Sequence, residues 1–391
     1  MGAANECGAY NSDWMTLADR LKATNDRPSG FDYLRLGLAT SVIFFHSGTV
    51  TYGNDFGLWE PPLGAFLRAI LPMFFVLSGF LVAGSLERSK TLFTFLGLRA
   101  IRIYPALAVE VVLSAFLIGA TVTALPLAEY FRDSQFWRYL LNMFGDIHYN
   151  LPGVFTNNPY AGVVNAQLWT VPVEFLCYAA LAALVALGSV QRKFLIPLAA
   201  LGLAVAHLIL RAQMYHWHLP TFGPFSDSLL LVSFLCGVSA YLYRDKIVWS
   251  LPMFTGALIA SIVFLWFVPL GAYPAIVTLT YVTIYFGLTN FKRYWLIRGA
   301  DYSYGMYLYG SVVLQLFVWL AAPRFWWISA LVCVPASALL AAFSWHFIEK
   351  PAQSTRKHLA VGEKHYLALK NRLLGHPITA VFKGSRLIER E

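Results

Sequence analysis

Runs of about 20 apolar residues recur along the whole chain and constrain its fold more than any other feature. Windows of this kind cover residues 31–50, 69–86, 103–124, 168–187, 194–210, 226–243, 250–268, 270–287, 301–321 and 325–348. About 20 apolar residues in a helix span the hydrocarbon core of a bilayer, where each backbone polar group must find its partner within the protein. The sequence therefore predicts an all-α, polytopic membrane bundle of about ten transmembrane helices.

The composition supports lipid as the main solvent. Of the 391 residues, 58% are hydrophobic and only 13% are charged, whereas about a quarter of the residues in soluble domains are charged. Residues 1–30 are polar and contain no short apolar region of the kind found in a signal peptide. We therefore expect one membrane domain over residues 31–351, preceded by a polar tail (1–30) and followed by a basic tail (352–391).

The positions of the basic residues predict an orientation. With ten spans, both tails lie on one side of the membrane, together with 24 of the 29 Lys and Arg residues. The other side receives five, namely Arg68, Arg132, Arg138, Arg211 and Arg324. By the positive-inside rule both termini are expected in the cytoplasm, and a bacterial inner membrane is the expected location. Because the net charge of +9 lies at the ends of the spans, we expect membrane lipid and not nucleic acid as a partner.

Two connections between spans are rich in aromatic residues. The long connection 125–167 could form an interfacial aromatic belt, or it could stack on a sugar or cover a site. The shorter connection 211–225 contains His216 and His218, but no carboxylate or Cys accompanies them. The four cysteines also lack metal-ligand spacing, so no metal site is expected.

Ionisable residues within apolar spans are costly, so each indicates a function. In the first span, Arg35 and His46 are 11 residues apart, which places them on one helix face about 16 Å apart. Asp32 lies three residues before Arg35 and is expected to pair with it. A lone His in an apolar span is often only a packing residue, so packing and proton transfer remain alternatives for His46.

Glu174 in the fourth span is expected at the same membrane depth as His46. Tyr178 follows one turn below Glu174. A carboxylate bound to one imidazole nitrogen leaves the other nitrogen free to accept a proton from a hydroxyl. The sequence therefore predicts His46 as a general base and Glu174 as its orienting partner.

Arg99 and Arg102 open the third span three residues apart and are expected to project from one face. They are either ordinary cytoplasmic anchors or a pair of guanidinium groups that binds phosphates.

Several ordered motifs resemble acyltransferase family 3, whose members are membrane enzymes that O-acylate carbohydrates. The resemblance covers residues 31–351 and rests on the segments Phe31–Arg35 with His46-Ser47, Pro72–Phe80, Arg99 to Arg102, Leu168–Glu174 with Tyr178, Ser303–Leu308 and Ile348–Pro351. It implies His46 as the essential histidine and Arg35, Arg99 and Arg102 as residues that serve the donor. Asp32, Ser78, Trp169, Tyr178 and Tyr304 lie within the same motifs and are expected to support the site. One departure is Gly310, where many relatives carry a His.

The resemblance also implies the reaction. A short acyl group, acetyl in preference to succinyl, would pass from cytoplasmic acyl-CoA to a hydroxyl of an extracytoplasmic glycan or glycolipid. Acyl-CoA is then a co-substrate, and no permanently bound cofactor is expected. A transporter or flippase of a lipid-linked sugar is the main alternative, because buried charges can also line a permeation path.

Overall fold

The computed structural model describes residues 15–53, 63–89, 91–189, 191–214, 226–294 and 300–374. The first eight helices in this part are α1 (Leu17–Lys22), α2 (Gly30–Tyr52), α3 (Leu63–Arg88), α4 (Leu92–Val112), α5 (Ala120–Val122), α6 (Leu127–Arg132), α7 (Ser134–Tyr139) and α8 (Thr170–Ala186). They are followed by α9 (Leu195–Met214), α10 (Asp227–Leu242), α11 (Leu251–Phe267), α12 (Ala272–Leu288), α13 (Ser303–Ala321), α14 (Trp326–Ser344), α15 (Lys350–Ser354) and α16 (Arg356–Leu374). A π-helical segment, Leu113–Gly119, joins α4 to α5.

The prediction of an all-α membrane bundle is confirmed for this part of the chain. Each predicted span coincides with a helix, and the two isolated β-bridges belong to no strand. By length and composition, six described segments can cross a membrane: Leu63–Arg88, Leu92–Val122, Ala166–Ala186, Leu195–Met214, Ser303–Ala321 and Trp326–Leu369. Asp227–Leu242, Leu251–Phe267 and Ala272–Leu288 are apolar but shorter, so ten is an approximate number of spans.

The bundle is built on close helix contacts that glycine allows. Helix α10 packs along α3, and the position of a Cβ on Gly79 would be 2.0 Å from the Phe234 carbonyl oxygen. On the facing helix, a Cβ on Gly237 would be 2.0 Å from the Val76 carbonyl oxygen. Neither position can therefore carry a side chain, and the two backbones meet directly, as in other small-residue contacts between membrane helices.

The third predicted span corresponds to α4, which begins earlier than the sequence predicts. It starts at Leu92, after Thr91 accepts a hydrogen bond from the Thr94 backbone N–H. The expected span started at residue 103, so the structure places Arg99 and Arg102 two to three turns inside α4. Pro105 is accommodated within this helix.

The long connection after α5 is folded, and several of its aromatic side chains are buried in the protein. Tyr130, Phe136, Tyr139 and Phe155 are at most 1% exposed, and the Tyr130 hydroxyl donates to the Ala115 carbonyl at 2.7 Å. Burial of these rings rules out stacking on a sugar for them. Trp137 and Phe144 remain exposed. The connection 211–225 with His216 and His218 lies mostly outside the described residues.

The basic tail is also partly folded. Within the predicted tail 352–391, residues up to 374 belong to α15 and α16, and α16 packs against α4. We call the end of the bundle that carries Arg35, Arg99, Arg102 and α16 the basic end.

Candidate active site

Arg35 and Arg102 meet at one carboxylate at the basic end. An Asp301 oxygen accepts from the Arg35 guanidinium at 2.5 Å and from the Arg102 guanidinium at 2.6 Å. The other Asp301 oxygen accepts from the hydroxyl and backbone N–H of Ser303 at the start of α13. Asp301 therefore holds α2, α4 and α13 together through charge-assisted hydrogen bonds.

The electrostatics of Asp301 follow from these contacts. Asp301 precedes the span Ser303–Ala321. Burial alone would raise its pKa, but Arg102 and Arg35, together with the Ser303 hydrogen bonds, hold the pKa below its ordinary range. The carboxylate is therefore ionised at neutral pH, and each arginine has a fixed negative partner.

Arg102 has a second carboxylate partner and a ring neighbour. Glu349, which follows α14 and is nearly fully buried, accepts from Arg102 at 3.4 Å. The Arg102 guanidinium also lies 5.5 Å from the ring centre of Tyr304. The Tyr304 hydroxyl donates to the Ile103 carbonyl at 2.9 Å. Arg102 is thus committed to contacts within the protein.

Arg99 has a different environment. Its guanidinium donates to the Ser85 hydroxyl at 3.0 Å, and its buried Nε atom has no hydrogen-bond partner. No ion pair joins Arg99 to a carboxylate in the described part of the chain. Of the predicted arginine pair, Arg99 is therefore the member without a direct ion pair, although its electrostatic interactions with Glu174 and Tyr178 are favourable.

The predicted contact between Asp32 and Arg35 is present but long. The two side chains are 3.8 Å apart, and Asp32 also lies 3.6 Å from Arg293. The main partner of Arg35 is Asp301.

Two cavities meet at the arginines. The outer cavity, about 740 Å³, opens at the basic end and is lined by seven arginines and four carboxylates: Arg27, Arg35, Arg88, Arg99, Arg102, Arg293, Arg356, Asp26, Asp32, Asp301 and Glu363. The inner cavity, about 170 Å³, contains apolar side chains together with Ser78, Thr170, Glu174, Tyr178, Tyr304 and Tyr307. Arg35, Leu81, Arg99 and Arg102 line both, so the two cavities lie next to each other at the arginines.

Glu174 belongs to the inner cavity and is not paired with His46. Its carboxylate accepts a hydrogen bond from Tyr178, and it lines the same cavity as Arg99 and Arg102. No hydrogen bond joins Glu174 to His46 among the residues that the structure describes. The predicted orienting role is therefore wrong for this arrangement, because equal depth in the membrane did not bring the two side chains together.

His46 is oriented by its own helix. Its Nδ1 lies 2.8 Å from the Val42 carbonyl oxygen. A carbonyl can only accept, so this contact requires the proton on Nδ1 and leaves the Nε2 lone pair free. The Val42 carbonyl thus orients the imidazole ring, which is the role that the sequence analysis predicted for Glu174.

His46 lines neither cavity. Phe74 and Tyr307 connect the two regions, since both line the inner cavity and pack against the cluster that contains Val42. The Tyr307 hydroxyl is 2.7 Å from the Thr170 hydroxyl. Trp169, one residue earlier, packs against the main core and lines neither cavity.

Three carboxylates with structural partners were not predicted as site residues. Asp301 and Glu349 bind the arginines, and Glu110 is fully buried where it accepts from Ser114 and Asn165. For Asp301 and Glu110 the available signal was charge alone, because Asp301 lies at the end of a predicted span and Glu110 lies inside one, whereas Glu349 also lies in the family motif Ile348–Pro351. Nothing in the spacing indicated their partners. Among the described residues, no group of three or more His, Cys, Asp or Glu side chains could hold a metal ion.

Gly310, the departure from the family pattern, lies where α13 contacts α2. A Cβ at this position would be 2.6 Å from a side-chain carbon of Ile43. A histidine therefore has no space here unless α2 and α13 move apart.

Gly310→Ala is expected to destabilise the protein by about 1–3 kcal/mol, the usual cost of overpacking a close contact. Gly202→Ala in α9 is the matched control, because a Cβ at Gly202 has no neighbour within 4 Å. Equilibrium unfolding in mixed micelles measures both variants. Equal stability of the two variants would show that α2 and α13 separate easily.

Comparisons with known proteins agree with this architecture. A family model described as an acyltransferase domain matches residues 29–346. Nodulation protein 10 of Rhizobium leguminosarum bv. viciae is 28% identical over 377 residues, which cover 86% of this chain and 97% of that protein. The O-acetyl transferase of Shigella phage Sf6 is 25% identical over 334 residues, which cover 82% of this chain and 94% of that protein. No solved structure matches the chain.

The family match covers most of the chain and contains all of the arginines that line both cavities, as well as His46 and Glu174. Several apolar helices of membrane-spanning length lie within the same region. The chain therefore belongs to acyltransferase family 3 and is an integral membrane O-acyltransferase.

Proposed function

We propose that this enzyme transfers a short acyl group, acetyl in preference to succinyl, from acyl-CoA to a hydroxyl of a glycan or glycolipid on the other side of the membrane. The observation that carries the proposal is that the arginine-lined outer cavity lies next to the inner cavity and shares four lining residues with it. The name of the phage relative, an O-acetyl transferase, favours acetyl as the group transferred.

The charge of the outer cavity fits a donor that carries phosphates. Its lining has seven arginines against four carboxylates, and coenzyme A carries a diphosphate and a 3′-phosphate. Arg99, which makes no direct ion pair within the described ranges, is suited to bind one of these phosphates. The phosphates would then remain at the basic end while the pantetheine arm enters the inner cavity.

The dimensions of the first helix fit this donor. Arg35 and His46 are 11 residues apart, or about 16 Å along α2. An extended pantetheine arm reaches roughly 15–20 Å, judged from the dimensions of an extended chain. In this proposal the thioester approaches His46 from the inner cavity, past Phe74 and Tyr307.

Each residue then has a role in the proposed reaction. The Nε2 atom of His46 removes the proton from the acceptor hydroxyl, and the oxygen attacks the thioester carbonyl carbon. The carbon–sulfur bond breaks, and the coenzyme A thiolate takes up a proton and leaves through the outer cavity. Glu174 and Tyr178 form part of the inner cavity wall and position the arm.

The orientation follows from the basic residues. We place the basic end and both termini in the cytoplasm of a bacterial cell, at its inner membrane, where acyl-CoA is available. His46 then lies toward the opposite side, so that only the acyl group crosses.

Radiolabelled acetyl-CoA added to membranes that contain the enzyme tests the proposal. Label should appear on envelope glycans in an alkali-labile ester, and membranes without the enzyme should show none. Absence of transfer from both acetyl-CoA and succinyl-CoA, together with no binding of coenzyme A to the purified protein, would refute it.

Arg99→Ala is expected to weaken coenzyme A binding by about 10- to 100-fold, the range for loss of a hydrogen bond to a charged group. The effect should shrink at high salt because it depends on charge. Lys246→Ala is the control, since this exposed Lys lies between α10 and α11 and lines neither cavity. Titration calorimetry of the purified protein with coenzyme A measures both variants. Equal coenzyme A affinity of the two variants would show that Arg99 is only a cytoplasmic anchor of the third predicted span.

A further inference from the structure

Helix α16 forms part of the outer cavity although it lies beyond the region that the family model matches, residues 29–346. The side chains of Arg356, Leu359, Glu363 and Leu367 follow helical spacing and face the bundle, while most of the other described side chains of α16 are exposed. The helix therefore presents one defined face to the site.

Two contacts fix α16 against α4. The Thr91 hydroxyl, at the start of α4, donates to the Glu363 carboxylate at 2.9 Å. Leu359 packs where Gly97 leaves space, since a Cβ on Gly97 would be 3.0 Å from a Leu359 methyl carbon. Glu363 is 8% exposed. These contacts hold the start of α16 beside the arginines of α4.

Arg356, the first residue of α16, lines the outer cavity with Arg99 and Arg102. Its Nε atom is shielded from solvent and has no hydrogen-bond partner, and its electrostatic interaction with Arg99 and Arg102 is repulsive. No ion pair joins it to a carboxylate in the described ranges. An anion that enters the outer cavity beside Arg356 would offset this repulsion.

Anionic lipid is the other possible source of phosphate. The exposed face of α16 contains Lys357 and Lys364 together with apolar residues such as Leu369. That pattern is typical of a helix that lies on a membrane surface. Contact with lipid headgroups would account for the exposed face of α16. It does not account for Arg356, which lines the outer cavity.

We propose that Arg356 binds a phosphate group of the acyl-CoA donor, so that α16 completes the donor site from outside the family-matched region. This inference rests on the proposed function. The ligand chemistry is a phosphate monoester or diphosphate, bound by Arg356 together with Arg99.

R356Q tests the inference, with K357Q as the matched control because Lys357 is the next residue and is exposed. Both variants of the full chain are purified in detergent and titrated with coenzyme A and with 3′-dephospho-coenzyme A. R356Q should lower coenzyme A affinity about 10-fold or more, with a weaker salt dependence, and K357Q should stay within about twofold. The melting temperature without ligand should not separate the two variants.

The two ligands identify the phosphate. If the penalty of R356Q disappears with 3′-dephospho-coenzyme A, Arg356 binds the 3′-phosphate; if the penalty persists, it binds the diphosphate. Either result supports the inference.

Three results would overturn it. Unchanged coenzyme A affinity in R356Q, while Arg99→Ala binds coenzyme A weakly, would show that Arg356 does not bind the donor. The proposed function would then still stand. If R356Q retains less phosphatidylglycerol than the wild type through purification, Arg356 binds a lipid headgroup instead. If the wild-type protein binds no coenzyme A, the donor proposal and this inference both fail.

Discussion

His46→Ala is expected to lower acyl transfer about 10²- to 10⁴-fold, the usual contribution of general acid–base catalysis. The reason is the free Nε2 atom, which the hydrogen bond from Nδ1 to the Val42 carbonyl leaves as the proton acceptor. The protein should still fold, because the Val42 carbonyl also has a backbone partner within α2.

The assay is transfer of label from acetyl-CoA, with coenzyme A affinity measured in parallel. Affinity should not change, because His46 lines neither cavity. His207→Ala is the matched control, since His207 also lies in an apolar helix, α9, and lines neither cavity. Wild-type turnover of His46→Ala would show that another group removes the proton.

Asp301→Asn is expected to destabilise the protein by about 3–5 kcal/mol, the cost of removing one partner from a buried ion pair. The substitution removes the negative charge that pairs with both Arg35 and Arg102, whose side chains are each about one fifth exposed. Asp32→Asn is the control, because the Asp32 contacts are 3.8 Å and 3.6 Å long and should contribute less than about 1 kcal/mol. Equilibrium unfolding in mixed micelles compares the variants, and equal losses would show that Asp301 does not organise the basic end.

The pH dependence of this contribution has a definite sign. The folded pKa of Asp301 is lowered, so its contribution to stability is fully present above the unfolded pKa of about 3.9 and is lost only as the pH falls below that value. The difference between wild type and Asp301→Asn should therefore be constant from about pH 5 to pH 8.

The sequence predicted the helices well because the requirement for them is local. A span needs only enough consecutive apolar residues to cross the bilayer, and that property is visible in each window. The boundaries were less accurate where a cap decides them, as at Thr91, which starts α4 before the apolar window begins.

The site was predicted in part. Arg35, Arg99 and Arg102 line two adjacent cavities, and Ser78, Glu174, Tyr178 and Tyr304 line the inner one. The pairing of Glu174 with His46 was wrong, since depth along two helices does not fix the direction in which their side chains point.

By itself, the sequence determined the all-α membrane class, the face that Arg35 and His46 share, and the family motifs. Only the tertiary structure decided which charges pair. Asp301 lies 266 residues from Arg35 and 199 from Arg102 along the chain, and the packing of α2, α4 and α13 brings the three together. The same packing pairs Arg102 directly with two carboxylates and gives Arg99 no direct ion pair among the described residues. The physical reason is that a buried charge is stabilised by whatever opposite charge lies within a few ångströms, and sequence separation does not determine that distance.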